Sequence, residues 1–149
     1  MAEIDDIEAI KQLKARYFRF LDTKQWPEFV DVFTPDVSTE VAEANITMTG
    51  AEEFVAFVSA AMADAVTTHH GHMPEITLTS DSTATGIWAM FDDVDLPRGI
   101  QGVPGVPEGP SRMRGSGHYH ERYVKGQDGR WRIAALRLTR LRTEWSPRA

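Results

Sequence analysis

Three separate segments of the sequence carry side chains that could perform acid–base chemistry. The first holds Tyr17 and, five residues later, Asp22. The second runs from Thr67 to His72 and contains three of the five histidines. Histidine suits a general acid or base because its pKa lies near neutrality. The third holds Arg140 in an apolar stretch, where a guanidinium must find an anion or hydrogen-bond acceptors.

Each segment also has a structural interpretation. Tyr17 would be a core tyrosine and Asp22 a surface residue that ends a helix, which spacing alone favours. The histidines would be ordinary polar residues at the start of a strand. Arg140 would form a structural salt bridge with Asp22 or Glu75. A metal site is disfavoured, because the histidine run has no HExxH pattern and the chain has no cysteine.

Aromatic and histidine residues in the second half of the chain are further candidates for a binding pocket. Trp88 and Phe91 could line a pocket for a flat ligand, although core packing is the first interpretation of such residues. His118 and His120 fall on one face of a predicted strand. The sequence contains neither a glycine-rich phosphate loop nor a GxSxG nucleophile motif.

Length and composition favour one domain over residues 1–149 and argue against several classes of protein. The absence of cysteine excludes disulfides, thiol catalysis and cysteine-ligated metals. A net charge of -6 argues against a nucleic-acid partner. The apolar stretches are too short for a membrane span. The acidic N-terminus lacks the features of a secretory signal, so we expect a cytoplasmic protein.

Three helices are predicted in the first half of the chain, and the first of them carries the tyrosine and the aspartate. Its apolar stripe recurs at three- and four-residue steps and consists of Ile7, Ile10, Leu13, Tyr17 and Leu21. A second short helix fits residues 26–33, and residues 34–36 (Thr-Pro-Asp) then break the chain. Residues 37–48 predict a ragged strand or hairpin, and a third helix follows Gly50.

From Thr68 onward the apolar pattern has a period of two, which predicts strands. Four are expected, at residues 74–80, 83–95, 112–124 and 130–144. The glycine- and proline-rich residues 97–110 predict a long mobile loop over the mouth of a pocket. Helices followed by a run of strands indicate an α+β fold. The last strand is apolar on both faces, which favours a covered outer face and a homodimer or higher homo-oligomer.

Several stretches together resemble the SnoaL-like, scytalone-dehydratase-like family of the nuclear-transport-factor-two-like superfamily. DIEAIKQLKARYFRFLDTKQW resembles the first helix of bacterial bile-acid dehydratases in that superfamily, and THHGHMPEI resembles their histidine segment. STATGIWAM, DGRWRI and LRLTRLR resemble later strands. The resemblance implies a cone-shaped, curved antiparallel sheet wrapped around three N-terminal helices, a cystatin-like α+β barrel.

The resemblance also implies a catalytic set. In those dehydratases the site is a tyrosine, an aspartate five residues later, a histidine and an arginine, which match Tyr17, Asp22, His69 and Arg140. His69 is the first histidine of an H-x-G-H pattern whose second is His72, and His70 is an unmatched extra. We expect three further residues to bind the substrate: His72, Trp88 and His118.

The implied activity is that of a cofactor-free lyase, a dehydratase that acts by general acid–base catalysis. Its substrate would be a small hydrophobic cyclic hydroxy-ketone, or a steroid-like or polyketide-like compound. The same residues would serve an isomerase or a polyketide-type cyclase. A non-catalytic carrier of a hydrophobic small molecule, or an interaction module, is the alternative of a different class. An open cavity with Asp22 against His69 would favour an enzyme.

Overall fold

The first helix, α1, spans Ala2–Asp22 and supplies one wall of the interior. The computed structural model of the chain describes residues 2–100 and 105–148. The predicted stripe is buried, with Ile10, Leu13, Tyr17 and Leu21 in the core. Because side chains three and four residues apart share one face of a helix, this burial places Tyr17 inside. None of the helices in these residues has the length and apolar composition needed to cross a bilayer.

Two further helices and a β-hairpin follow α1. Their bounds are α2 at Trp26–Val30, β1 at Phe33–Val41, a 3₁₀ turn at Ala42–Ala44, β2 at Ile46–Thr49 and α3 at Ala51–Met62. The second helix is therefore shorter than predicted. The chain break expected at residues 34–36 is wrong, because these residues belong to β1. Its register shifts between Phe33 and Ser38, and such an irregularity accommodates Pro35, which cannot donate to a sheet.

Four long strands complete one six-stranded sheet, ordered β2-β1-β6-β5-β4-β3. Their bounds are β3 at Val66–Leu78, β4 at Thr83–Leu96, β5 at Ser111–Lys125 and β6 at Trp131–Pro147. The first of them begins eight residues before the predicted start at residue 74, so the histidine run lies inside β3. The predicted loop 97–110 separates β4 from β5, and its residues 101–104 lie outside the described part of the chain.

The sheet is curved and does not close, since β2 and β3 form its two edges. Neighbouring strands are antiparallel except β1 and β6, which pair in parallel. The wholly antiparallel sheet expected from the sequence is therefore corrected to a mixed one. The α+β class and the cone-shaped arrangement around three helices are confirmed.

The inner face of the sheet packs against the helices through an aromatic cluster. Tyr17 makes edge-on contacts with Phe29, Phe33 and Tyr119, with ring centroids 5.1–5.9 Å apart. Edge-to-face geometry of this kind is favourable for aromatic pairs. On the outer face, Ile87 and Phe91 are partly exposed. Homo-oligomer formation through that face stays a prediction.

Candidate active site

Asp22 and His69 meet where the end of α1 reaches the edge strand β3. The Asp22 Oδ1 atom lies 2.7 Å from His69 Nδ1. The backbone N–H of His69 donates to Asp22 Oδ2 at 2.9 Å, and the Thr67 hydroxyl donates to Oδ1 at 2.9 Å. Alternation along β3 turns Thr67 and His69 inward and leaves His70 exposed. The carboxylate is therefore held by three donors, and it fixes the orientation of the imidazole.

The environment keeps Asp22 ionised at neutral pH. Burial raises the pKa of its carboxyl, but the hydrogen bonds and charge of His69 and the Thr67 hydroxyl outweigh that effect and lower the pKa. A carboxylate can only accept hydrogen bonds, so His69 Nδ1 carries the proton in this contact. The other ring nitrogen, Nε2, points away from Asp22. This is the arrangement by which a carboxylate fixes the orientation of a histidine ring.

A second carboxylate lies on the other side of the imidazole. Asp92, on β4 opposite His69, has Oδ2 3.9 Å from His69 Nε2 and is 2% exposed. Arg140 donates two hydrogen bonds to Asp92, at 2.8 and 2.7 Å. Arg140 was expected to pair with Asp22 or Glu75, and that expectation is wrong. The arginine instead reaches the histidine through Asp92.

Because Gly115 has no side chain, the Asp92–Arg140 pair can occupy the space next to it. A Cβ atom at position 115 would lie 1.9 Å from Arg140 Nη1 and 2.5 Å from Asp92 Oδ1. Burial lowers the pKa of the Arg140 guanidinium, but the hydrogen bonds and charge of Asp92 more than offset this and raise it. The guanidinium is therefore permanently charged, and its charge is balanced locally by Asp92.

Sequence reasoning missed Asp92, although a signal for it exists. The other inward positions of β4 hold apolar residues or glycine, among them Trp88, Met90 and Val94. An aspartate in phase with these apolar residues must be buried and must find a cation. The phase of the strand, rather than the residue type, would have identified it.

Tyr17 is buried close to this group. Burial raises the pKa of its hydroxyl well above the ordinary value, and Tyr119, Glu121 and Asp92 raise it further. Tyr17 is therefore protonated throughout the neutral range and can donate a hydrogen bond. Its ring is packed among aromatic side chains, and it is not among the residues that line the cavity next to His69.

A cavity of about 480 Å³ opens between α1 and β3 and reaches His69. Its walls are mostly apolar, and it is lined by Lys11, Ala15, Phe18, His69, His70, Gly71, His72, Pro74 and Trp88. Two of the three predicted substrate-binding residues, His72 and Trp88, belong to this lining. Gly71 is required there because a Cβ atom would lie 2.5 Å from the Phe18 ring.

The third predicted substrate-binding residue, His118, is elsewhere. Its strand neighbour Tyr119 lies in the core, so alternation turns His118 to the outer face. There it pairs with Ala89 and Thr139, and its ring lies 6.3 Å from that of His120. The assignment of His118 to the site is therefore corrected: its side chain is separated from the cavity by the sheet.

The clustered histidines do not form a metal centre with acidic residues. Across residues 2–100 and 105–148, no group of three or more His, Cys, Asp or Glu side chains is arranged to hold a metal ion. His70 and His72 are exposed, whereas His69 turns inward.

Comparison with known proteins identifies the family. The model of the SnoaL-like domain matches residues 2–137, so the chain belongs to the SnoaL-like family. Among curated proteins, it is 26% identical over 142 residues to the Probable cyclase FGR4 of Gibberella zeae, with 89% of each chain covered.

Solved structures show the same fold. A candidate scytalone dehydratase from Novosphingobium aromaticivorans superposes with a TM-score of 0.79 at 20% identity, covering 96% of this chain and 89% of that one. The LinA-type3 hexachlorocyclohexane dehydrochlorinase of Novosphingobium barchaimii gives a TM-score of 0.77 at 19% identity, with coverages of 99% and 93%. At these identities the likeness concerns the fold.

Proposed function

We propose that this protein is a cofactor-free lyase that dehydrates a small hydrophobic cyclic hydroxy-ketone, or a steroid-like or polyketide-like compound. The observation that carries the proposal is the contact between His69 and Asp22, which leaves one imidazole nitrogen free as a base. The predominantly apolar cavity beside His69 supports a hydrophobic ligand. Location in the cytoplasm is part of the same proposal.

The reaction begins with removal of a proton from the carbon next to a carbonyl. His69 Nε2 takes that proton, and the electrons of the broken C–H bond move into the carbonyl, giving an enolate. We assign Tyr17 as the hydrogen-bond donor to the enolate oxygen, which requires the substrate to reach past the cavity lining to this buried hydroxyl. Arg140 acts by holding Asp92 beside His69. General acid–base catalysis of this kind contributes about 10²–10⁴-fold in rate.

The second step expels the hydroxyl group. The enolate re-forms the carbonyl, a C=C bond forms next to it, and the C–O bond breaks. The departing hydroxyl takes the proton held by His69 and leaves as water. Atoms and charges therefore balance without a redox partner, because the substrate carbonyl accepts and returns the electron pair.

An isomerase or cyclase is the second candidate, supported by the similarity to the curated protein named as a cyclase. With no leaving group on the substrate, the same enolate would be protonated at another carbon or would attack a second carbonyl. The residues and their roles in the first step are unchanged.

A panel of cyclic β-hydroxy-ketones tests the proposal, with loss of one water followed by mass spectrometry. We expect His69→Ala to abolish turnover, because the base is removed. His120→Ala is the matched control, since this exposed histidine lies on the outer face of the sheet, away from the cavity. Full activity in His69→Ala would refute the assigned role. Binding of panel members without turnover in the unaltered protein would favour a non-catalytic carrier.

A further inference from the structure

A second charged group is buried beneath the tyrosines, and the reaction above does not use it. Lys14 lies three residues before Tyr17 on α1, and its ammonium forms an ion pair with Glu121 on β5. Both side chains are completely buried. Removing two charges from water is so costly that a buried ion pair is weak evidence for stability, and apolar residues of similar size often serve as well. The pair therefore calls for a role other than holding the fold.

The ammonium group lies against two tyrosine rings at once. Lys14 Nζ is 3.7 Å from the centroid of Tyr17 and 3.7 Å from that of Tyr119. A cation over an aromatic face is attracted to the ring when it lies within about 6 Å of the centroid. The two rings also touch each other, with centroids 5.8 Å apart. One fixed charge thus contacts the faces of both rings.

The partner of Lys14 is fixed in turn. The second carboxylate oxygen of Glu121 accepts a hydrogen bond from the Tyr123 hydroxyl, which accepts one from Trp88 Nε1 at 2.7 Å. Trp88 lines the cavity that reaches His69. The network therefore extends from beneath the tyrosine pair to the cavity wall and has little freedom to move.

We infer that the Lys14–Glu121 ion pair is a positioning element, which holds the rings of Tyr17 and Tyr119 so that their hydroxyls lie near Asp92. Burial is the main reason that the pKa of both tyrosines is raised, and the negative charge of Asp92 adds to the rise in each, as expected for hydroxyls near that carboxylate. The Asp92 carboxylate also accepts a hydrogen bond from Arg140 and lies 3.9 Å from His69 Nε2. The inference rests on the proposed function, in which Tyr17 donates to the enolate.

The charge on Lys14 gives this arrangement a pH limit. Burial lowers the pKa of the ammonium to about 8, although the charge and hydrogen bond of Glu121 oppose the shift. The groups that face it are Tyr17 on its own helix and Tyr119 and Glu121 on β5. The two tyrosines are neutral in this range because burial raises their pKa. Above about pH 8 the cation is lost and Glu121 is left without its partner.

The first test needs no substrate. The chain has three tyrosines, Tyr17, Tyr119 and Tyr123, and NMR of the ¹³C-tyrosine-labelled protein observes each ring. In Lys14→Met we expect faster ring flipping and shifted signals for Tyr17 and Tyr119. Lys11→Met is the matched control, because Lys11 is an exposed lysine of the same helix. If the flipping rates and signals of Tyr17 and Tyr119 were unchanged in Lys14→Met, the inference would be overturned. If that variant does not fold, Glu121→Gln, which removes the counter-charge, is measured in its place.

The second test uses any hydroxy-ketone that the unaltered protein dehydrates. We expect Lys14→Met to lower kcat by roughly 10–100-fold with little change in KM, since misplaced donors act on the transition state. Lys14→Arg keeps the cation, so its kcat should be higher than that of Lys14→Met. Because arginine stays charged, this variant should also lack the fall in kcat that loss of the Lys14 charge would cause above about pH 8. An unchanged kcat with only lower stability would make the pair structural and leave the proposed function intact. If the unaltered protein dehydrates nothing in the panel, the dehydratase proposal fails, while the ring measurement still decides whether Lys14 holds the tyrosines.

Discussion

Two neighbouring aspartates on β4 bind arginines on opposite faces of the same sheet. Asp92 faces inward and accepts two hydrogen bonds from Arg140, and the side chains are 2% and 13% exposed. Asp93 faces outward and accepts two from Arg112, and the side chains are 22% and 41% exposed. The bidentate geometry is nearly the same in the two pairs, although Asp93 also accepts a hydrogen bond from Arg114 at 3.2 Å. Burial is the main difference, so the comparison shows what burial does to pairs of the same residue types.

The outward pair is screened by water and the inward pair is not. Exposed ion pairs contribute about 0–1 kcal/mol to stability. Removing one partner of a buried pair leaves an uncompensated charge inside the protein, which costs about 3–5 kcal/mol. For ion pairs built from the same residue types, the pair on the inner face therefore has the larger effect on stability and on the geometry of the site.

Asp92→Asn breaks the inward pair and has the largest expected effect. We expect the free energy of unfolding to fall by about 3–5 kcal/mol, because Arg140 keeps its charge without a counter-ion. Asp93→Asn on the outer face should change it by less than about 1 kcal/mol. Urea denaturation of both variants measures the difference. Equal losses in the two variants would contradict the distinction between the faces.

Gly115→Ala crowds the inward pair without removing a charge. The added methyl group would overlap Arg140 and Asp92, and overpacking of this kind costs about 1–3 kcal/mol. Ser116→Ala, one residue along β5 and on the outer face, should change stability by less than about 0.5 kcal/mol. The same denaturation experiment distinguishes the two variants, and a neutral Gly115→Ala would mean that the pair has space to move.

The contact between Asp22 and His69 predicts an acid-sensitive contribution to stability, which is the smallest of the three effects. Folding lowers the pKa of the Asp22 carboxyl. The ionised carboxylate therefore stabilises the folded protein at pH values above 3.8, the ordinary pKa of this group. That stabilisation is lost as the pH falls through the lower folded value. On acidification, the thermal midpoint of the unaltered protein should therefore fall more than that of Asp22→Asn. Asp81→Asn, in an exposed turn, should keep the original pH profile.

Local patterns in the sequence predicted much of the fold. The stripe of α1 and the period-two strands follow from burial of one face of each element, and both are present. The parallel pairing of β1 with β6 was not predicted, because the two strands are far apart in sequence and no local pattern encodes which strands meet. The course of residues 34–36 was missed because a proline in an irregular strand resembles a proline that ends one.

The proximity of Asp22 and His69 was predicted only through the resemblance to known dehydratases, since spacing alone favoured a structural interpretation. Asp92 and His118 show which information the sequence patterns lacked. Both lie on strands whose alternation was evident, but the more apolar of the two alternating sets still had to be chosen as the buried one. The structure supplies that choice and places Asp92 inside and His118 outside.

The backbone contact of His69 with Asp22 has a consequence for association between molecules. β3 is an edge of the sheet, and an unpaired strand edge can recruit the strand of another chain. At His69 the outward-pointing amide is already occupied by a carboxylate from α1. The residue that orients the imidazole thus also blocks edge-to-edge pairing at that point, so losing it would weaken both proton transfer and resistance to aggregation.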